Sequence, residues 1–346
     1  MAADTLTAVL VMPRGFAELA EALRHLQAQT RHDSIEVVLV HTVTHAATID
    51  HNAFRMFRRF VTVPVDHIPT VASAFAPALD AATSDVIAQV EDHVFLDPDW
   101  AAAVLAAHSR PSAAVAPRLA NANPATAISW ANFVASFAEA IASRPAGPVD
   151  SGPGHNTSYK VAVLRLYRDE MQALYQSERV FHYRLRQDGH VILHAPHARQ
   201  AHLNISVPRE AMSHAWFGGI MFGAYRARAM GVAEKMLRTA LAPLVPPMRF
   251  WRTWRLLSGT ADLTMPPAAW VLLSALLVSH AAGEALGYWN LVANIEARYE
   301  HFELHRLECL RSDERRLMTG ATADQEVWRS QEGIRGSGDR LDRKKS

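Results

Sequence analysis

The sequence predicts an α/β fold: a mixed, mainly parallel sheet flanked by helices and followed by a helical C-terminal unit. Three observations carry this. Short β-branched and aliphatic runs alternate with stretches of helical spacing through the first half of the chain. The runs are continuously apolar, as in strands buried on both faces. After about residue 206 the strand signals stop, and long helical stretches rich in Arg and Trp replace them.

In order, residues 7–12 read as a buried strand ended by Pro13-Arg14-Gly15. Phe16, Leu19, Ala20, Leu23 and Leu26 recur at helical spacing, and that helix stops near Gln29-Thr30. Residues 35–40, 60–65 and 85–90 are the next strands, and the Ala-rich 71–82 is a helix despite Pro77. Residues 113–117 form a short strand and 124–143 a helix. Residues 147–156 are a Gly/Pro loop, and a helix containing Glu178 and Tyr183 follows. Strand 190–195 and the segment 198–204 close this part.

At 346 residues and 49% hydrophobic, the chain can bury a large core. Lys and Arg number 35 against 34 Asp and Glu, so overall charge neither favours nor excludes nucleic acid, and no nucleic-acid partner is expected from the motifs. The single cysteine, Cys309, excludes internal disulfides and multi-Cys zinc sites. Residues 7–12 lack a preceding basic segment and are stopped by Pro13, unlike a signal peptide. The expectation is a cytoplasmic protein, peripheral on the cytosolic face of the cell membrane.

The membrane expectation comes from the second half. Residues 221–258 hold seven Lys/Arg against one acid, Glu234, with Phe250, Trp251 and Trp254 interleaved. Residues 265–283 then lack Asp, Glu, Lys and Arg. A basic, Trp-containing helix before a short apolar segment fits contact with an anionic membrane surface; the alternative is a buried helical hairpin. Residues 311–346 are charged and poor in large apolar groups, and read as a disordered tail. The expected division is 1–205, 206–310 and 311–346.

The chemistry centres on Glu91-Asp92-His93, where a buried strand ends before a Leu-Asp-Pro-Asp-Trp turn. Ligands of parallel sheets bind beyond such strand ends. Glu91 and His93 are i and i+2, so in an extended segment they point the same way and Asp92 oppositely. The plain alternative is a solvated turn or a helix cap. His190, His194, His197 and His202, with His41 and His45, form a rival set for a transition-metal site, but lack an accompanying Cys, a His-Glu-x-x-His helix or a second acidic cluster. Neither Gly-x-Gly-x-x-Gly nor Gly-Lys-Ser/Thr occurs.

Four segments, in order, resemble family 2-type (GT-A fold) nucleotide-sugar glycosyltransferases over roughly residues 5–205. Val9–Pro13 with the helix ending at Gln29-Thr30 resembles the family's opening. Glu91-Asp92-His93 with Asp97-Pro98-Asp99-Trp100 resembles its Asp-x-Asp segment and Asp-Pro-x-Trp continuation. Gly154-His155-Asn156-Thr157-Ser158-Tyr159-Lys160 resembles the Gly-x-Asn-x-Ser-Tyr-Arg/Lys motif. Glu178 to Arg186, Gly189, Pro196 and His202-Leu203-Asn204 resemble the closing stretch.

The resemblance implies an inverting, metal-dependent transfer from a nucleotide-diphosphate sugar to a hydroxyl acceptor, a glycan or a lipid-linked group. It implies Glu178 as general base, with Asp169 and Glu170 as lesser candidates. It implies a divalent cation, Mn2+ or Mg2+, on Glu91, His93 and His202, and donor contacts from Pro13, Asp92 and Asn156. Structural roles remain open for Glu178 as an exposed helix residue, His202 as a lone histidine and Asn156 as a turn residue. The departures are His41-Thr42, where the family has an aspartate, residues 68–78 without Asn or Gly, and His93 for the last acidic position. They keep alive a catalytically degenerate homologue that binds or scaffolds; a soluble metal-binding protein is the third reading.

Overall fold

The computed structural model describes residues 3–320 except 177, 229, 261 and 262. The first half is built on β1 (Leu6–Met12), α1 (Ala20–Gln27), β2 (Ile35–Thr42), β3 (Arg59–Val65), α2 (Val71–Ala81), β4 (Val86–Val90), β5 (Val94–Leu96) and α3 (Trp100–His108). Then come β6 (Ala114–Asn121), α4 (Ala127–Ile141), β7 (Gly147–Val149), β8 (Ser158–Lys160), α5 (Val161–Leu164), α6 (Met171–Tyr175), α7 (Glu178–Gln187) and β9 (Ile192–His202). Among the described residues these strands form one sheet in the order β3-β2-β1-β4-β8-β6-β9-β5, with β7 on β9.

The β3-β2-β1-β4 half is parallel. All seven residues of β1 are buried, and their alternation sorts them to two cores. Val9 and Val11, with Val38 and Val40 of β2, face Phe75, Tyr175 and Phe181. Leu10 and Met12, with Val37 and Leu39, face Leu23, Leu26, Trp100 and Val104. Helices on both sides therefore explain the unbroken apolar runs. Pro64 sits in β3, the edge strand, where a missing N–H costs least. The helix predicted over Pro77 forms, started by a capping box of Thr70 and Ser73.

The other half differs in detail from the sequence expectation. β6 extends to Asn121, and residues 190–195 and 198–204 are not separate: β9 is one strand, irregular where its pairing with β6 shifts at Pro117/Arg118. Part of the Gly/Pro loop, β7, pairs with β9. These pairings join residues far apart in sequence, and no local signal encodes them.

The C-terminal helices are α8 (Pro208–Ala227), α9 (Val232–Leu241), α10 (Val245–Leu257), α11 (Pro267–Gly287), α12 (Ile295–Leu304) and α13 (Arg316–Thr319). α8 and α11 meet through glycines. A Cβ at Gly219 would lie 2.1 Å from the His280 carbonyl oxygen, and one at Gly283 would lie 2.3 Å from that of Trp216. Across this seam Arg226 pairs with buried Glu284 at 2.7 Å. On α11, Leu273, Leu276 and Leu277 share a core with Ile128, Phe133 and Ile141 of α4. The stretch expected at 265–283 is thus a 21-residue helix, long and apolar enough to cross a membrane by length and composition, with 39% of its most apolar window buried in the protein.

Residues 311–320, expected in the tail, are instead partly packed. Leu310 and Met318 are buried with Phe95 and Leu203, and Glu314 Oε2 accepts a 3.2 Å bond from Asn123 Nδ2. The rest of that expected tail, 321–346, lies outside the described residues.

Candidate functional site

The parallel strands deliver their C-terminal ends to one edge. Leu10 of β1 pairs with Val90 of β4, so Pro13, just past β1, and Glu91, just past β4, leave the sheet side by side. After Glu91 the chain turns tightly, with Val94 N bonding the Glu91 carbonyl at 3.1 Å. β5 then runs antiparallel to β9, pairing Val94 with His202, and Leu203 N bonds the His93 carbonyl at 2.9 Å. This ladder sets His202 beside His93, with ring centroids 5.0 Å apart and nearly perpendicular.

Glu91, His93 and His202, predicted as a metal set, come together and are all buried. Glu91 Oε2 lies 3.8 Å from His93 Nε2 and 4.0 Å from His202 Nε2, and one ligand atom from each residue falls within 4.8 Å of the others. The hydrogen-bond network assigns the tautomers. His93 Nδ1 donates to Asp92 Oδ1 at 2.7 Å, and His202 Nδ1 donates to Asn204 Oδ1 at 3.0 Å. Both Nε2 atoms therefore face the cluster as acceptors, the arrangement that supporting acceptors impose on metal-binding histidines, and that of His93 is taken by Arg306 Nη2 at 3.1 Å. Asp92 is hydrogen-bonded to His93.

Burial disfavours charge on Glu91, yet His93, His155 and His202 together hold its carboxyl well below the usual range. Burial, with the neighbouring His93 and Arg306, drives His202 well below its ordinary value. An ionised carboxylate beside a neutral imidazole is the donor form a divalent cation requires. The mixed oxygen and nitrogen set suits Mn2+ better than Mg2+.

The Gly152-Pro153-Gly154 turn supplies the next group. Gly154 has a φ of +50°, and a Cβ there would sit 3.6 Å from the Glu178 carboxylate. Beyond it, Asn156 Nδ2 donates to Glu91 Oε2 at 3.1 Å, and His155 Nδ1 donates to Glu91 Oε1 at 3.2 Å. The far side of the same imidazole, Nε2, pairs with Glu178 Oε1 at 2.7 Å. Burial disfavours charge on His155, but Glu178 and Glu91 hold it protonated well above its ordinary value. Glu178 starts α7 and is brought to the cluster through this bridge, unlike Asp169 and Glu170, which are exposed.

Three residues that sequence reasoning missed come from the C-terminal helices. Arg306, just after α12, is 2% exposed. Its Nη2 donates to His93 Nε2 at 3.1 Å and to Glu303 Oε2 at 2.9 Å, while its Nε has no partner. Glu303 Oε2 lies 3.7 Å from His93 Nε2, and Glu303 Oε1 lies 3.9 Å from His214 Nε2 of α8. The available signal was the charge placement on and just after α12, where Glu296, Glu300, Glu303 and Arg306 recur three or four apart. Such a row normally marks a solvated face; here Glu300 and Arg306 are buried.

The rival histidine set does not assemble among the described residues: of its members only His202 joins a potential metal group. His41 ends β2 with its Nδ1 on the Thr42 carbonyl at 3.0 Å.

No sequence-family profile matches the chain, and no curated protein does. Among solved structures the fold is similar to the mannosyltransferase PcManGT from Pyrobaculum calidifontis, solved in complex with GDP-Man and Mn2+. The TM-score is 0.50 at 15% identity, over 83% of this chain and 88% of that one. The likeness shows the fold alone, an α/β domain continued by a helical C-terminal part.

Proposed function

We propose that the protein is an inverting, metal-dependent glycosyltransferase of the GT-A, family 2 type, moving a sugar from a nucleotide-diphosphate donor to a hydroxyl acceptor. The observation that carries this reading is the buried Glu91, His93 and His202 triangle with Arg306 beside it, at the strand ends where a glycosyltransferase fold binds its donor. A divalent cation held by these three residues would neutralise charge on the leaving diphosphate. Arg306, with an unpartnered Nε, offers a second cationic group to the same phosphates. Asn156 and Pro13 line the edge where the donor would lie.

Glu178 accepts the acceptor's hydroxyl proton as that oxygen bonds to the anomeric carbon. The bond from this carbon to the diphosphate oxygen breaks, and the electron pair leaves with the diphosphate, inverting the centre. In the resting arrangement His155 holds Oε1 of the Glu178 carboxylate, so an acceptor hydroxyl would use Oε2 or take the place of His155 before proton transfer. A lipid-linked acceptor fits a chain whose C-terminal helices line the site and lie at the cytosolic membrane face.

The test is calorimetry with GDP, UDP and dTDP, each with and without Mn2+, then transfer from the matching sugar donor. GDP-mannose is the first donor to try, because the structural neighbour was solved with it. Mn2+-dependent nucleotide binding is expected, and failure of every nucleotide to bind would remove the reading. A second reading, a degenerate homologue that binds without transfer, is favoured by the Arg306 and Glu303 contacts on His93. Nucleotide binding without turnover on any donor would support it.

A further inference from the structure

We infer that α9 and α10 form a monotopic membrane-binding face that lies in the plane of an anionic phospholipid bilayer. The inference does not depend on the glycosyl-transfer reading.

No residue of α9 is buried. From α9 into α10, Val232, Met236, Leu237, Leu244, Met248 and Trp251 are between 51% and 65% exposed. Positions 232, 236, 240, 244, 248 and 251 are all exposed and three or four apart, so one side of the helical run is apolar and faces outward. Such large side chains are rarely left in a contiguous exposed row on a soluble surface.

The inward side is anchored. Trp289 Nε1 donates to Thr239 Oγ1 at 3.0 Å, Arg249 Nη1 meets His280 Nδ1 of α11 at 3.1 Å, and Phe250 packs edge-on against Trp270. The exposed row is therefore held outward by the fold.

Charge selects the occupant. α9 and α10 carry five basic groups, Lys235, Arg238, Arg249, Arg252 and Arg255, and one acid, and that acid, Glu234, is already paired with Arg238 at 2.7 Å. Arg228, Arg252 and Arg255 are exposed; Arg255 lies over the Trp251 ring at 5.4 Å. A second copy on this face would oppose like charges. Anionic headgroups complement them, while the Trp and aliphatic row enters the acyl boundary. α11 packs its glycine seam on α8 and its leucines on α4.

The test uses the full chain, sedimented with vesicles of phosphatidylcholine alone and of phosphatidylcholine mixed with phosphatidylglycerol, at low and high salt. Affinity for the anionic vesicles at low salt should exceed that for neutral ones by about tenfold or more, with a blue shift of Trp fluorescence. Double charge reversal, R252E with R255E, should remove that preference. M248A with W251A should weaken binding to both vesicle types by about tenfold. These side chains are exposed, so circular dichroism should match the unsubstituted chain. The inference is overturned by absence of binding to anionic vesicles at low salt, or by binding that neither double variant moves. It is equally overturned if the chain forms a stable oligomer through this face, or is captured by polyglutamate but not by vesicles.

Discussion

The imidazole of His155 is paired with the carboxylate of Glu178, Nε2 to Oε1, at 2.7 Å. Its other nitrogen donates to Glu91. One ring therefore joins the candidate base to the candidate metal cluster, holding the half-buried Glu178 and the buried Glu91 near each other by a shared positive charge. His155 holds one oxygen of the candidate base, Oε1, and leaves Oε2 for another partner.

Glu178→Gln should lower transfer by about 10²- to 10⁴-fold while leaving nucleotide affinity within a few-fold. Transfer assays paired with calorimetry check this; retained turnover would clear Glu178 of the role.

Asn204→Ala removes the acceptor that orients His202 without removing a ligand atom. Mn2+ affinity should fall by about 10- to 100-fold, as for other supporting residues around metal ligands. His202→Ala should lower it further. Titration of Mn2+ followed by electron paramagnetic resonance measures both, and equal affinities across the three proteins would argue against a metal at this cluster.

Substitution of Arg306 tests whether the second phosphate is recognised separately from general binding. Arg306→Lys keeps a charge but loses the planar fork, and should weaken nucleoside diphosphate more than monophosphate. Arg306→Ala leaves the half-buried Glu303 without its partner and should cost about 1–3 kcal/mol of stability. Parallel calorimetry and urea unfolding distinguish the effects.

The glycine seam between α8 and α11 tolerates no side chain. Gly219→Ala places a carbon against the His280 carbonyl, with an expected loss of about 1–3 kcal/mol. Gly15→Ala, with nothing within 4 Å of the added carbon, serves as control in the same urea series.

Two buried histidines predict acid sensitivity. Burial, aided by Arg179 and Arg186, lowers His182 to about 3, and burial with Lys160 lowers His108 to about 3. His182 is held neutral: Gly152 N donates to its Nδ1 at 3.2 Å, and its Nε2 lies 2.9 Å from the Tyr159 hydroxyl. Their folded values lie below the unfolded value of about 6.5, so the unfolded chain binds more protons between those limits. Stability is full above about pH 6.5 and falls as pH drops toward 3, by a few kcal/mol. His182→Gln should flatten that slope in unfolding measured across pH.

Local pattern determined much of this protein. β1 to β4 are legible because a strand covered on both faces must be apolar throughout. Glu91-Asp92-His93 stands out because charge at the end of such a run lies where the sheet opens. His93 was the doubtful member of that trio, and the structure turns its Nε2 into the cluster with Asp92 behind it. The turn at Gly152–Asn156 was legible as a motif, but the bridging role of His155 was not: an imidazole reports neither of its partners, here 64 residues before it and 23 after it.

Tertiary structure alone decided the rest. Arg306 reaches His93 across 213 residues of sequence, from a helix whose buried side is charged. A sequence read by polarity puts that side in water. The reversal occurs because Glu303, His93 and Arg306 satisfy one another away from solvent, which depends on α8 and α12 closing over the sheet edge. The same closure leaves the row from Val232 to Trp251 uncovered. Its composition was visible beforehand, but only packing established which side of the helices stays outside.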